Sequence, residues 1–165
     1  MRTTKSVACL LTVALVPMLT ACGNADPLPA QTGVTGHSRD WRSTASSEDG
    51  SKRVAAEFGG HVYTSSDGGR HWTARLADQQ REWVSVSSSA DGSRLVAAER
   101  QGDIYASNDG GVTWTARGSN GFWRAVSLSA DGTQLTVVDW RSGKSHTSAN
   151  GGVSWTANRD GGGRS

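Results

Sequence analysis

The sequence predicts an all-β fold built from three similar units, each a meander of four short strands. The first observation is a repeat of tryptophans in two series, one with intervals of 42 and 40 residues and one with intervals of 42 and 41: Trp41, Trp83 and Trp123, and then Trp72, Trp114 and Trp155. The second observation is that short apolar and polar runs alternate with glycine-containing turns, without any helical period. Such self-similarity is the signature of a repeat architecture.

The middle unit shows the predicted elements in order. They are an alternating run at 83–87, a turn at 90–93, an extended run at 94–98, a turn at 101–103, an extended run at 104–107, a turn at 109–111 and a closing strand at 113–116. An Asp-Gly pair follows the first tryptophan of every unit by eight residues, which favours a tight turn there. We therefore place the three units at 41–82, 83–122 and 123–157.

The composition fits one turn-rich domain. Glycine supplies 21 of the 165 residues, about 13% against a usual share of about 7%, and hydrophobic residues make up 35%. The formal net charge of +2 comes from Arg2 and Lys5, because the first 21 residues hold no acid and the remainder is neutral. A neutral domain lacks the long-range field that attracts DNA or RNA. The composition excludes a collagen and a membrane transporter, and we expect no nucleic-acid partner.

The N-terminal segment has the layout of an export signal. Two basic residues precede an apolar stretch over residues 7–19, which ends in the tetrapeptide LTAC at 19–22. This tetrapeptide resembles the lipobox of bacterial lipoproteins. The resemblance implies a lipoprotein signal peptide over residues 1–21 and a lipid on the thiol of Cys22. An ordinary secretory signal and an uncleaved helix are the alternatives.

The lipobox resemblance implies a location in the bacterial cell envelope, with the membrane as a partner through the lipid anchor. Cys9 would leave with the signal, so that Cys22 is the only thiol of the mature chain. Gly23 would favour the outer membrane in a Gram-negative cell. Residues 22–40 hold two of the three prolines and no apolar periodicity, which predicts a flexible tether after the lipidated cysteine. We expect the polar, glycine-rich tail at 158–165 to be disordered.

The third turn of each unit carries the same residue types at the same spacing. They are Ser65, Asp67, Gly69 and Trp72 in unit 1; Ser107, Asp109, Gly111 and Trp114 in unit 2; and Ser148, Asn150, Gly152 and Trp155 in unit 3. These turns resemble the Asp box, or BNR repeat, of sialidase-like β-propellers. The repeat region as a whole resembles propeller repeats of the YVTN/BNR and photosystem II assembly-factor type. The resemblance implies a structural role for these twelve residues, remote from the ligand face.

The chemistry of the third turns agrees with a structural role. A carboxylate can accept backbone N–H groups across a tight turn, glycine supplies a positive φ, and the tryptophan can pack over the turn. Asn150 departs from the pattern, and its neutral amide can still cap the turn but weakens the case for a calcium ligand there. The four histidines are scattered, so we expect no metal site and no cofactor.

The number of repeats predicts an open or partial β-propeller of three blade-like units. Propellers usually have about four to eight blades, so three cannot close a ring. Thr44 and Arg53 replace apolar residues in unit 1 and suit a cap, whereas we expect Leu135, Val137 and Val138 to leave the outer face of unit 3 apolar. A homodimer could then complete a six-blade assembly. A β-trefoil-like fold is the alternative, since it also has three repeats.

The sialidase resemblance does not extend to a catalytic set. A sialidase needs an arginine triad, a Tyr–Glu nucleophile pair and an acidic Asp drawn from about six blades, and this chain has only Tyr63 and Tyr105, at equivalent positions in the third strands of units 1 and 2. No Ser/His/Asp spacing and no phosphate-binding glycine loop is present. We therefore expect no enzyme activity, and a remnant or subunit of a sialidase-like glycoside hydrolase is the alternative.

The second turns predict a candidate binding face, because a meander places them at the end opposite the first and third turns. This face combines acidic, aromatic and arginine side chains: Glu57, Phe58, Glu99, Arg100, Asp139 and Trp140, with Arg117 supplied by a link between units. Exposed aromatic residues among arginines suit recognition of a protein or a glycan. A solvated rim of weak ion pairs is the alternative. We interpret the protein as a membrane-anchored, non-enzymatic binding or scaffold module.

Overall fold

The computed structural model describes residues 39–118 and 121–158. The predicted signal peptide, Cys22 and nearly all of the tether lie outside the described residues, as does the tail beyond residue 158. Within the described part, no helix is long and apolar enough to cross a membrane.

The described residues form twelve strands in three consecutive sets of four, as the repeat predicts. Unit 1 consists of β1 (Trp41–Ser46), β2 (Arg53–Gly60), β3 (Val62–Ser65) and β4 (Thr73–Arg75). Unit 2 consists of β5 (Arg81–Ser88), β6 (Leu95–Glu99), β7 (Ile104–Ser107) and β8 (Thr115–Ala116). Unit 3 consists of β9 (Trp123–Leu128), β10 (Leu135–Asp139), β11 (Ser145–Ser148) and β12 (Thr156–Ala157). The predicted all-β fold with blade-like repeats is confirmed.

Each unit is an antiparallel meander with the same register. Ala56 pairs with Val62 in unit 1, Ala98 with Ile104 in unit 2, and Val138 with Ser145 in unit 3. Units 1 and 2 also share one sheet, because the end of β2 pairs with the start of β5, whereas unit 3 forms a sheet of its own. The sequence pattern does not reveal this pairing. It depends on the continuation of β2 to Gly60, past the position where the pattern places the second turn.

The first strands of the units lie side by side, with β5 between β1 and β9. Serine side chains connect them: Ser43 Oγ accepts the Val86 N–H at 3.1 Å, and Ser85 Oγ accepts the Val126 N–H at 3.1 Å. The first turns repeat this pattern, since Lys52 and Arg94 each donate to a backbone carbonyl of the following unit. The two junctions therefore carry equivalent hydrogen bonds, with the first-strand serine accepting from the next unit and the first-turn cation donating to it.

Two hydrophobic clusters fill the junctions between units. At the first junction Val54, Ala56 and Val62 of unit 1 pack on buried residues of unit 2: Trp83, Val86, Leu95 and Ala97. At the second junction Val96, Ala98 and Ile104 of unit 2 pack on their counterparts in unit 3: Trp123, Val126, Leu135 and Val137. The core thus lies between units, so that a single unit would leave most of its apolar side chains in water.

The expectation of an apolar outer face on unit 3 is wrong for Leu135 and Val137, whereas Val138 does lie on that face. Leu135 and Val137 face unit 2 and are 1% and 0% exposed. The opposite side of β10 instead presents Thr136 and Val138 beside Ser145, where unit 2 has Val96, Ala98 and Ile104. Strand alternation explains the error, because Leu135 and Val137 point to one side of β10 and Thr136 and Val138 to the other. Leu135 and Val137 therefore do not supply the apolar contact on which the predicted homodimer rests.

Candidate functional site

The third turns are closed by their own side chains. In unit 2 Asp109 accepts the Thr113 backbone N–H at 2.9 Å, and Ser107 Oγ accepts the Gly111 N–H at 2.9 Å. Gly111 has a φ of 87°, and Trp114 Nε1 donates to the Gly111 carbonyl at 3.0 Å. The Thr113 hydroxyl and backbone N–H groups hold the pKa of Asp109 down at about 2, because they stabilise the carboxylate.

The other two third turns repeat this geometry with two changes. His71 donates its backbone N–H to Asp67 at 3.0 Å in unit 1, and Ser154 donates its backbone N–H to Asn150 at 2.9 Å in unit 3. The asparagine amide also donates to the Ser154 hydroxyl, at 2.9 Å. Trp155 Nε1 bonds to the carbonyl of Arg117 in unit 2, at 2.8 Å, rather than to its own turn. Asn150 thus caps its turn without a charge.

The second turns lie at the other end of the units and are tied to the residue that precedes the first tryptophan of each unit. The three backbone N–H groups each donate over 2.8 Å to an equivalent carbonyl: Phe58 to Asp40, Arg100 to Glu82, and Trp140 to Phe122. Six of the seven residues of the predicted face thus lie at the second-turn end of their own units, and of these Arg100 and Trp140 line one cavity. We call this end of units 2 and 3, with Arg100, Phe122, Arg124, Trp140 and Arg141, the basic-aromatic surface.

Units 1 and 2 carry a partly buried tyrosine, glutamate and arginine cluster behind this end. In unit 1 Tyr63 Oη donates to Glu57 Oε2 at 3.0 Å, and the Arg39 guanidinium lies 5.0 Å from the centre of the tyrosine ring. Burial first, and then the Glu57 carboxylate, raise the pKa of Tyr63. The pair is a packed element of the unit, since Tyr63 is only 9% exposed and meets Trp41 edge to face.

The unit 2 copy of this cluster has the same members with different partners. Arg81 lies 5.2 Å from the Tyr105 ring centre and 4.0 Å from Glu99, and Asp78 accepts from both of its terminal nitrogens. Burial raises the pKa of Glu99 despite the opposing charge of Arg81. Unit 3 has His146 where the others have tyrosine, and its ring meets Trp123 edge to face. Glu57 and Glu99 therefore serve the interior of the fold more than its surface.

Unit 3 differs at the position before its first tryptophan, where the other units carry an acid. Asp40 pairs with Arg42 at 2.7 Å, and Glu82 lies 3.7 Å from Arg100. Phe122 takes the equivalent place in unit 3, and Arg141 stacks on its ring at 4.8 Å. Within residues 39–118 and 121–158, neither Arg124 nor Arg141 forms an ion pair.

The basic-aromatic surface surrounds a cavity of about 290 Å³ lined by Val84, Arg100, Trp123, Arg124 and Trp140. Trp140 is 46% exposed and packs edge to face on Phe122, with ring centres 5.8 Å apart. Asp139 is turned away from the cavity, because its carboxylate accepts the backbone N–H groups of the following turn. The surface therefore offers cations and an aromatic ring with few competing carboxylates.

Arg117 does not belong to this surface, contrary to the sequence prediction. It lines a separate cavity with Asn150 and Gly151 of the unit 3 third turn. Arg117 follows directly after β8, and its carbonyl accepts a hydrogen bond from Trp155 Nε1 of unit 3. This bond holds Arg117 beside the third turn of unit 3. Sequence reasoning also missed Arg124 and Arg141. The signal that could have found them is the series Asp40, Glu82 and Phe122, in which only the third unit lacks an acid.

The described residues contain no group of three or more His, Cys, Asp and Glu side chains that could hold a metal ion. The side chains of the basic-aromatic surface offer ion pairing, hydrogen bonding from guanidinium groups, and packing on an indole ring.

No family model matches the chain, and no curated protein matches it. Solved structures do match in fold. YCF48 from Cyanidioschyzon merolae matches with a TM-score of 0.61 and 22% identity, over 72% of this chain and 37% of that one. A structure of YCF48 bound to D1 peptide has a TM-score of 0.61 and 17% identity, over 72% of this chain and 39% of that one.

A GH74 enzyme from Niastella koreensis matches with a TM-score of 0.58 and 27% identity, over 72% of this chain and 18% of that one. The chain thus spans less than half the length of these structures. Their shared architecture supports the partial-propeller prediction over the trefoil alternative. The repeat region of this protein has a β-propeller type of fold, with three blade-like units.

Proposed function

We propose that the protein is a lipid-anchored component of the bacterial cell envelope that acts as a non-enzymatic binding or scaffold module. One observation carries the proposal: Arg124 and Arg141 have no carboxylate partner among the described residues and flank the exposed ring of Trp140. Tryptophan and arginine contribute most to the energy of protein interfaces. The basic-aromatic surface is the contact site in this proposal.

A protein partner with an acidic segment suits this surface better than a glycan. Guanidinium groups form bidentate hydrogen bonds with carboxylates, and the indole ring offers apolar area beside them. The structure of YCF48 bound to D1 peptide supports a peptide-binding role for a fold of this type. A neutral glycan could use Trp140 but would leave the arginines without counter-charges.

The anchor in this proposal rests on the lipobox resemblance at Cys22. A tether over residues 22–40 would hold the repeat region about 20 to 25 Å from the membrane, if it behaves as a flexible chain. The outer membrane is the proposed location in a Gram-negative cell.

Glycoside hydrolysis is the second candidate, because Tyr63 and Glu57 form the type of pair that serves as the nucleophile in sialidases. The burial of Tyr63 and the equivalent placement of Tyr105 and Glu99 support a packing role instead. Turnover of a fluorogenic sialoside or aryl glycoside, lost in Tyr63→Phe, would establish the hydrolase and contradict our proposal.

Photo-crosslinking tests the binding surface directly. Benzoylphenylalanine is placed at position 140 of the full chain in the native envelope, and at Val153 as a control, since Val153 is 65% exposed at the opposite end. We expect a discrete protein adduct from position 140 and none from position 153. Replacing Arg124 and Arg141 together by glutamate should remove the adduct. Equal adducts from both positions, or an adduct that survives the charge reversal, would contradict the proposal.

A further inference from the structure

A second cavity, of about 410 Å³, lies at the junction of units 2 and 3 beside the third turn of unit 3. Its polar lining consists of Arg94, Asn108, Arg117, Thr133 and Asn150, without any carboxylate. The cavity lies at the end of the units opposite the basic-aromatic surface, so that it is independent of the proposed partner site.

The backbone of Arg117 is fixed at this cavity. Its N–H donates to the Ile104 carbonyl at 2.7 Å, and its carbonyl accepts from Trp155 Nε1 at 2.8 Å. Gly152 allows this approach, because a Cβ at that glycine would lie 2.8 Å from the Cβ of Arg117. Contacts with both units therefore fix the backbone that carries the Arg117 guanidinium.

The first junction provides an internal comparison. Arg75 is the unit 1 equivalent of Arg117, and its Nε donates to Thr64 Oγ1 at 3.0 Å. Unit 2 has Ala106 where unit 1 has Thr64, as the shared pairing with the fourth strand shows. The Nε of Arg117 is buried and has no hydrogen-bond partner among the described residues. One alanine has therefore removed the acceptor that satisfies the equivalent arginine.

The third turn of unit 3 also lacks a group that could bind the arginines of the cavity. Asn150 stands where units 1 and 2 have Asp67 and Asp109, so that a neutral amide lines the cavity in place of a carboxylate. Its Oδ1 is already engaged by the Ser154 N–H. Asp131, two residues before the lining residue Thr133, accepts hydrogen bonds from Thr133 within its own turn. The Arg94 guanidinium donates to the Gly132 carbonyl, at 3.0 Å, and has no carboxylate partner within the described residues.

We propose that this cavity binds an oxyanion, a phosphate or carboxylate group carried by a small molecule. Arg94 and Arg117 supply the positive charge, and Asn108 and Thr133 supply neutral polar groups around it. Two guanidinium groups that lack carboxylate partners favour such a ligand, since charge-assisted hydrogen bonds to an oxyanion are stronger than those to neutral acceptors. The volume is sufficient for one sugar-sized molecule.

Isothermal titration of the full chain in mild detergent tests the site. The probes are inorganic phosphate, glucose 6-phosphate, glucuronate and, as the uncharged control, glucose. We expect an oxyanion probe to bind and glucose to give no signal, and the comparison of phosphate with carboxylate identifies the group. Arg117→Gln should weaken binding by about tenfold or more, as expected for the loss of a charged hydrogen bond.

Three further variants separate the site from a general charge effect. Asn150→Asp restores the carboxylate, and Ala106→Thr restores an internal acceptor for Arg117, so each should weaken binding without lowering the melting temperature at neutral pH. Arg75→Gln removes the equivalent arginine of the first junction and should leave affinity within about twofold of the parent chain. Failure of all three oxyanion probes to bind, or equal losses in Arg75→Gln and Arg117→Gln, would overturn the proposal.

Discussion

Ser85 Oγ accepts the backbone N–H of Val126 at 3.1 Å across the junction of units 2 and 3. Ser85 is 5% exposed, and its hydroxyl satisfies a donor that strand pairing within unit 3 leaves free. Ser43 and Val86 repeat the contact at the first junction. A small hydroxyl on the first strand therefore joins adjacent units where their side chains also pack.

Ser85→Ala should lower the free energy of unfolding by about 1 to 3 kcal/mol, because it leaves the Val126 N–H buried without an acceptor. Denaturant titration monitored by tryptophan fluorescence measures the change. Ser127→Ala is the matched control, since Ser127 is exposed on the free side of β9. Equal losses in the two variants would show that the inter-unit hydrogen bond contributes nothing.

Leu135→Ala should destabilise the protein by about 2 to 5 kcal/mol, because the side chain is 1% exposed within the second junction. Val138→Ala should cost much less, since Val138 lies on the free side of the same strand. The two free energies of unfolding decide which face of β10 forms the core. A larger loss in Val138→Ala would contradict the packing described above.

We expect the chain to remain monomeric in sedimentation equilibrium in detergent. Both free faces of the stack carry polar residues, with Thr44 and Arg53 on unit 1 and Thr136 and Ser145 on unit 3. Exposed polar strands disfavour association through apolar contact. A stable dimer that dissociates in Val138→Lys would restore the original expectation of a self-associating face.

The free energy of unfolding should fall as the pH drops from about 4 to about 2. Thr113 and Ser107 lower the folded-state pKa of Asp109 to about 2 from 3.8, so its stabilising effect is complete above the unfolded value and is lost as it protonates. Asp49 and Asp131 behave alike, each with a pKa lowered to about 2 by serine hydroxyls first.

Asp109→Asn should make this acid dependence shallower, and Asn150→Asp should make it steeper, because each changes the number of carboxylates held in third turns. Urea titrations at pH 2.5 and pH 6 give the free energy of unfolding at each pH, and the difference between the two values is compared among the variants. An equal loss of free energy of unfolding between pH 6 and pH 2.5 in the two variants and the parent chain would show that the turn hydrogen bonds do not favour the ionised carboxylate.

Cys22→Ser should move the protein from the membrane fraction to the soluble fraction, or block its processing, because the lipobox requires a thiol. Fractionation with metabolic labelling by a fatty acid measures both effects. Cys9→Ser is the control, since Cys9 lies within the proposed signal peptide. A Cys22→Ser protein that is processed and partitions like the parent would refute lipidation.

The strand pattern was predictable because it depends on local chemistry. Glycine-containing turns and alternating residues predicted strands at 83–87 and 104–107, and the structure has β5 at Arg81–Ser88 and β7 at Ile104–Ser107. The repeats in sequence also identified the equivalent positions correctly. The sequence could not show which face of a strand packs on which neighbour, because alternation distinguishes two faces without showing which adjacent unit covers each.

The sequence by itself determined the number of units, their four strands and the third-turn residues, since spacing and turn chemistry act over a few residues. Tertiary structure decided which side of each strand is covered, where Arg117 points and which arginines lack acids. These properties arise between units, where Ser85 meets Val126 and Trp155 meets Arg117. Such contacts join residues about 40 positions apart, and only the packing of one unit on the next brings their side chains together.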